Sequence, residues 1–298
     1  MDRVDGGRPT NVSLIQMPFM AGDAAHPASE GPDGLVRAGV ERLLADRGVT
    51  VNRERVEIRS GVSFPDVVAA SAAVNRKLHA TVRRVIAAGR LPIVIAGSCD
   101  AAIGVVSGLP HRRCGIVWVD AHGDFNTPDS SVSGFFPGMS LAIVTGQCYR
   151  ELWAALGGRP PVPETHVVLI GVRSLSPPEE AGRLRRSGIQ VIAWERGEPR
   201  GDLGSALDRL ASRVDEVYLH IDNDAFDPLT APGVVDEPVP GGLSLPAMEA
   251  VIQAVTTRLR VVAATVATYT PVNDRHDQTL KADLRIIDLL GKHAAARG

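Results

Sequence analysis

Long hydrophobic runs are missing from this chain. No apolar stretch approaches the length that a bilayer-spanning helix needs, and no apolar leader of the secretory kind opens it. An excess of charge is missing too. The 32 Lys and Arg against 34 Asp and Glu leave a net charge of −2, which excludes the basic footprint of a nucleic-acid or anionic-membrane partner. Lysine is scarce, at Lys77, Lys281 and Lys292 only. The other cations are arginines and alanine is abundant, a bias of genome base composition rather than of function. Cysteine is scarce as well: Cys99, Cys114 and Cys148 lie far apart in no pairing pattern. An odd count of this kind argues against a disulfide framework and favours a reducing cytosol, so a cytoplasmic location is expected.

What is present reads as one large α/β domain over residues 1–298, with residues 1–10 frayed. A hydrophobic content of 44% in 298 residues is enough for a core that needs no staples. Short β-branched runs predict strands at Val12 to Ile15, Ile93 to Ala96, Ile116 to Val119, Val167 to Ile170, Val191 to Trp194, Val217 to Ile221 and Val261 to Val266, with a weaker one at Val56 to Ile58. Between them, helical spacing covers Leu35 to Asp46, Asp66 to Ala88, Glu179 to Ser187, Asp202 to Arg213, Leu245 to Arg258 and Leu280 to Ala296. Strands apolar on both faces imply a parallel sheet of about eight strands between two helical layers. The Gly- and Pro-rich stretch 157–163 reads as a surface loop.

Ligands of such sheets bind beyond the carboxyl ends of the strands. Three ends carry metal-grade side chains. "WVDAHGDFNTP", residues 118–128, places Asp120, His122 and Asp124 at alternate positions, which share one face along an extended strand. "HIDNDAFDP", residues 220–228, repeats the pattern with His220, Asp222 and Asp224, and "GSCDAAIG", residues 97–104, adds Cys99. One such string occurs by accident. Two on separate buried strands point to a dinuclear metal site, because crowded carboxylates need a positive partner.

These motifs resemble the ureohydrolase family of arginases, agmatinases and formiminoglutamases. "VDAHGDFNTP" is similar to the family's D-A-H-x-D-x-N-T-P, and "HIDNDAFDP" followed by "VPGGL" to its S-x-D-x-D-x-x-D-P segment. The resemblance runs from about Leu91 to Asp274. It implies a three-layer α/β/α fold with an eight-stranded parallel sheet, and a homo-oligomer, trimer or hexamer. It implies two divalent ions, manganese by preference, on Cys99, Asp120, His122, Asp124, Asp222 and Asp224, with Asp120 and Asp222 bridging. It also implies that Asn126 and Ser133 contact the substrate carboxylate.

The departures from the family bear on substrate. Cys99 takes a His slot, as in the hydroxyarginine amidinohydrolases. A thiolate is softer than imidazole and shifts preference toward zinc or iron; alternatively Cys99 is a small buried residue in a degraded site. Pro137 stands where arginases carry a proton-shuttling His, Thr268 where a Glu faces the substrate guanidinium, and Ser174 and Ser176 where carboxylates stand, the second of which holds the substrate amino group. The hydrolytic machinery is kept and the grip on an arginine-like cation is reduced. The expected activity is hydrolysis of a linear C–N bond in a guanidino, hydroxyguanidino, formimino or amide compound other than plain L-arginine, by a metal-bridging hydroxide that Asp124 orients. His220 is a candidate replacement for the shuttle, or a partner steadying a ligand carboxylate. Glu237, with Asp236 on a loop at the same rim, is a candidate substitute carboxylate for substrate, or a solvated charge. The other function class is a catalytically idle subunit or small-molecule-binding protein, told apart by metal content and turnover.

Overall fold

The computed structural model describes residues 11–59, 62–110, 113–157, 160–235 and 238–296. The segment expected to fray, residues 1–10, lies outside them. Nine strands form a single sheet: β1 (Asn11–Met17), β2 (Thr50–Arg55), β3 (Arg90–Ala96), β4 (Cys114–Val119), β5 (Val167–Ile170), β6 (Gln190–Glu195), β7 (Glu198–Arg200), β8 (Glu216–Asp222) and β9 (Val261–Ala267). Their order is β2-β1-β3-β9-β8-β4-β5-β6-β7. The first eight in that order pair in parallel throughout, as expected for the seven of them that carry apolar runs. The ninth, β7, is an addition: it turns back antiparallel on β6 through Arg196 and Gly197, at φ +54 and +82. Two consecutive left-handed residues make the tight hairpin that a right-handed strand twist accepts.

The helices are α1 (Gly31–Arg37), α2 (Val40–Ala45), α3 (Val67–Ala87), α4 (Ala101–Gly108), α5 (Ser140–Val144), α6 (Arg150–Ala155), α7 (Pro178–Arg186), α8 (Leu203–Ala211), α9 (Leu245–Arg258) and α10 (Gln278–Ala295). One apolar layer packs α1, α2, α8, α9 and α10 on Leu14, Ile93, Val117, Leu219 and their neighbours. The other packs α3 to α7 on the opposite face, against Val94, Ile116, Trp118 and Tyr218. Adjacent strand residues thus serve opposite layers, as the pleat requires. In α3 the buried Val74, Leu78, Val82 and Val85 recur at helical spacing, and Asp66 caps the first turn by accepting from the Ala69 amide at 2.8 Å.

Two expectations are corrected. The helix expected over Leu35 to Asp46 is two helices, because Gly39 adopts φ +87 and breaks the ladder. The weaker strand expected at Val56 to Ile58 lies earlier, at Thr50–Arg55, on one edge of the sheet. An outer strand with mostly exposed side chains carries no apolar run to reveal it. Helices α4, α5 and α6 were not expected from the sequence: α4 and α5 are buried on all sides, and α6 spans only six residues with Trp153 buried. Among the described residues, no helix is long and apolar enough to cross a membrane.

Candidate metal centre

The carboxyl ends of β3, β4, β8 and β9 meet at the centre of the sheet. Beyond β4 the Asp120 amide donates to the Ile170 carbonyl at 2.9 Å, and then the chain leaves the sheet. The Asp120 carboxylate is held from two sides, by the Trp118 indole N–H at 2.9 Å and the His122 amide at 2.7 Å. His122 and Asp124 are therefore not on an extended strand, contrary to expectation. With no neighbouring strand to pair with, the segment curls, and Asp124 adopts φ +45. Its carbonyl accepts from the Leu141 and Ala142 amides at the start of α5. The alternation in "DAHGD" is real as spacing, but a loop brings the three side chains together.

The second motif is divided in the same way. His220 and Asp222 belong to β8, whereas Asp224 sits on the single 3-10 turn Asn223–Ala225. Asp222 caps that turn by accepting from the Asp224 amide at 2.8 Å. Asp224 reaches across to accept from the Ala121 amide at 3.1 Å, which ties the two motif loops together. Cys99, between β3 and α4, is buried with Sγ 2.6 Å from an Asp222 oxygen.

Potential ligand atoms of Cys99, Asp120 and Asp124 lie within 4.8 Å of one another, and so do those of Asp120, His122 and Asp224. Asp120 is common to both groups. His122 Nδ1 is 2.9 Å from Asp224 and 3.4 Å from Asp120. Burial pushes the Cys99 thiol well up, and the nearby carboxylates add to it. Burial and then the neighbouring carboxylates also push Asp124 and Asp222 well up, and Asp120 up to about 7. Burial alone would lower His122 and raise Asp224, but contacts reverse both: Asp120 and then Asp224 lift His122 to about 12, and His122 holds Asp224 below the usual carboxylate range. One oxygen of Asp124 is buried with no hydrogen-bond partner among the described residues. Acidic groups this crowded ionise together only around added positive charge. Carboxylates, an imidazole and a thiol are also a donor set that divalent transition ions accept. The residues fit a metal pair.

A cavity of about 330 Å³ opens above His122 and Asp124, and Asn126, Ser133, Phe135, Ser176 and Glu180 are among its walls. A narrower inner cleft reaches Cys99, Pro137, Asp222, Asp224 and Thr268. Both expected substrate contacts thus line the outer cavity. Asn126 is braced by donating to the Ser176 carbonyl at 2.9 Å, and Ser133 accepts from the Phe135 amide at 3.2 Å. Glu237 and Asp236 fall outside the described residues. His220 lines neither space. It is fully buried, stacked on Trp118, with Nδ1 2.8 Å from the Tyr218 hydroxyl, and burial lowers its pKa to about 3. Two contributors escaped sequence reading. Trp118 could have been found by its position two residues before Asp120 on one strand face. Glu180, whose carboxylate accepts from the Phe125 and Ser176 amides at 3.0 and 3.2 Å and so clasps two walls together, has no motif to mark it.

The comparisons with known proteins agree with this geometry. A model of the arginase family matches residues 10–290. An arginase of Bacillus caldovelox is 32% identical over 94% of this chain and 97% of its own length. An arginase of Bacillus subtilis is 32% identical over 94% of this chain and 98% of its own. The crystal structure of arginase from Bacillus subtilis superposes with a TM-score of 0.83 at 29% identity, covering 94% of this chain and 98% of that one. With the match spanning nearly the whole sequence, the chain belongs to the arginase family.

Proposed function

We propose that the chain is a binuclear-metal hydrolase of a linear, non-peptide C–N bond, acting on a guanidino, hydroxyguanidino, formimino or amide compound other than plain L-arginine. One observation carries this reading: Cys99, Asp120, His122, Asp124, Asp222 and Asp224 converge at three strand ends, beneath an outer cavity walled in part by Ser176 and an inner cleft lined by Pro137 and Thr268. Those six residues would hold the ions, with Asp120 and Asp222 shared between them. Manganese is expected from the family, and zinc or iron from the softer thiol of Cys99. Bound there, a metal pair lowers the pKa of water and polarises the electrophile.

The chain's own residues do the rest. The unpartnered oxygen of Asp124 is the acceptor that orients the attacking water. Asn126 and Ser133 hold the far end of the substrate in the outer cavity. Pro137 has no proton to give, so the leaving amine takes its proton from water or from another group. His220, sealed beneath the carboxylates, suits support rather than a shuttle. Glu237 stays the candidate carboxylate toward a cationic or hydroxylated nitrogen, and Glu237→Gln with unchanged kcat/KM would remove it. By family likeness we also infer a homotrimer or homohexamer, which sedimentation measures.

The test is a screen of purified protein, reconstituted with Mn²⁺, Zn²⁺ or Fe²⁺, against guanidino, hydroxyguanidino, formimino and amide compounds, reading urea, ammonia or amine release. Turnover of one of these with poor turnover of L-arginine is expected. Two tightly bound ions with no turnover of any compound would overturn the hydrolase reading.

A further inference from the structure

Thr268 is the first residue past β9, and its backbone is in the left-handed region at φ +72. Six other non-glycine residues share a positive φ among the described residues, and none of them is β-branched. For a β-branched side chain this conformation is a true outlier, and it persists only where the surroundings impose it. Here they do. The Thr268 amide donates to the Ala96 carbonyl at 3.1 Å, and its carbonyl accepts from the Thr270 hydroxyl at 3.1 Å. Its hydroxyl oxygen accepts from the Asn223 amide at 3.3 Å and lies 2.6 Å from Asp222 Oδ1. The Ala267 carbonyl lies equally near, at 2.6 Å. The hydroxyl has one proton, and the Asp222 carboxylate, ionised around a metal pair, would be the stronger acceptor.

The conformation serves an identifiable end. Ala267 faces the layer that contains Cys99 and Trp118. In an extended chain the next side chain would point to the opposite face of the sheet. The left-handed turn breaks the alternation and aims the Thr268 hydroxyl at Asp222. Asp222 is then fixed through both oxygens: Oδ1 by Thr268 and the Asp224 amide, Oδ2 against Cys99.

We propose that Thr268 is a positioning residue of the metal centre, held in a strained backbone so that its hydroxyl fixes the plane of the Asp222 carboxylate. This rests on the metal-centre reading above. The position where arginases face the substrate cation has here been turned from the substrate to a ligand.

The test compares Thr268→Ser, Thr268→Val, Thr268→Ala and Thr268→Gly in the full chain stripped of metal. Mn²⁺ and Zn²⁺ affinities are measured by calorimetry, and Tm is measured without metal. Loss of a hydrogen bond that orients a ligand typically weakens metal binding about 10–100-fold. That loss is expected for Val, Ala and Gly, while Ser binds as the wild type does. Val keeps the branched side chain, so it isolates the hydroxyl. Gly relieves the left-handed strain, so its metal-free Tm is expected to hold or rise while its affinity falls, a split that a purely structural role does not give. Val and Ala variants that bind metal as tightly as wild type overturn the role of Thr268 alone. A wild type that binds neither ion overturns the metal centre and this role together.

Discussion

The indole of Trp118 and the imidazole of His220 lie face to face, ring centroids 3.7 Å apart and planes 17° from parallel. Above them the indole N–H holds Asp120; below, the Tyr218 hydroxyl meets His220 and donates to Thr265 at 2.7 Å. The stack is a floor under the metal residues. His220→Ser should therefore lower stability by about 1–3 kcal/mol, through lost packing and the lost hydrogen bond to the Tyr218 hydroxyl. Metal content and the pH profile of turnover should stay as in wild type. Denaturant unfolding, elemental analysis and a pH–rate series check this; a lost limb in the pH profile would restore His220 as a proton carrier.

Stability in the absence of metal should depend on pH in a direction set by the crowded acids. Burial and mutual repulsion raise the folded pKa of Asp120, Asp124 and Asp222 above 3.8. Each contributes stability that is complete below that value and lost as pH rises through its folded pKa, about 7 for Asp120. His220, lowered to about 3 from 6.5, has the opposite slope, as do His79 and His166, while burial also raises Asp100, Glu180 and Asp283 and adds to the acid side. The Tm of metal-free protein is expected to fall from pH 3.8 to about 7. Metal binds the deprotonated groups and cancels the loss, so the gap between loaded and free Tm widens over that range. A gap that stays constant in a thermal-shift series would show that the acids are not held together by metal.

Ligand variants should differ in kind. Asp120 belongs to both candidate groups, so Asp120→Ala should lose both ions, as should Asp222→Ala if that carboxylate bridges. Asp224→Ala should chiefly weaken one. Cys99→Ala should lose one ion, and Cys99→His should keep both while moving preference toward manganese. Elemental analysis decides; equal metal content across Asp120→Ala and Asp224→Ala would remove the sharing, and a full complement in Cys99→Ala would make the thiol mere packing.

L-Arginine should be a poor substrate. A charged hydrogen bond is worth about 1.5–3 kcal/mol, roughly ten- to a hundredfold in binding. Ser176→Asp, in the outer cavity wall, is expected to lower KM for L-arginine by about that factor, and adding Pro137→His to raise kcat. Efficient L-arginine hydrolysis by the wild type, with KM in the ordinary range of about 1 μM–1 mM, sinks the altered specificity.

The parallel sheet was legible because β4, β5, β8 and β9 are apolar on both faces, and the clustering of Cys, Asp and His side chains because spacing and residue type repeat at separate strand ends. The mode of convergence was not. Spacing cannot distinguish a strand face from a curled loop, and Asp124 and Thr268 are placed by left-handed backbones that carry no sequence mark outside glycine. Edge strand β2 was misplaced because a strand with its side chains in solvent looks like a loop. Thr268 read as a lost clamp, and only its contact with Asp222 gives it another part.

The two margins of the sheet are closed to growth. On one side β2 presents Arg53, Glu54 and Arg55, paired with Glu41, Arg84 and Asp33. On the other, the hairpin strand β7 is Glu198, Pro199 and Arg200, with Pro199 offering no amide and Arg200 tied to Glu195 at 2.9 Å. Charged ends and a missing donor deter another chain from adding a strand. Copies of this chain that associate are thereby steered to meet through helices and loops rather than by extending the sheet.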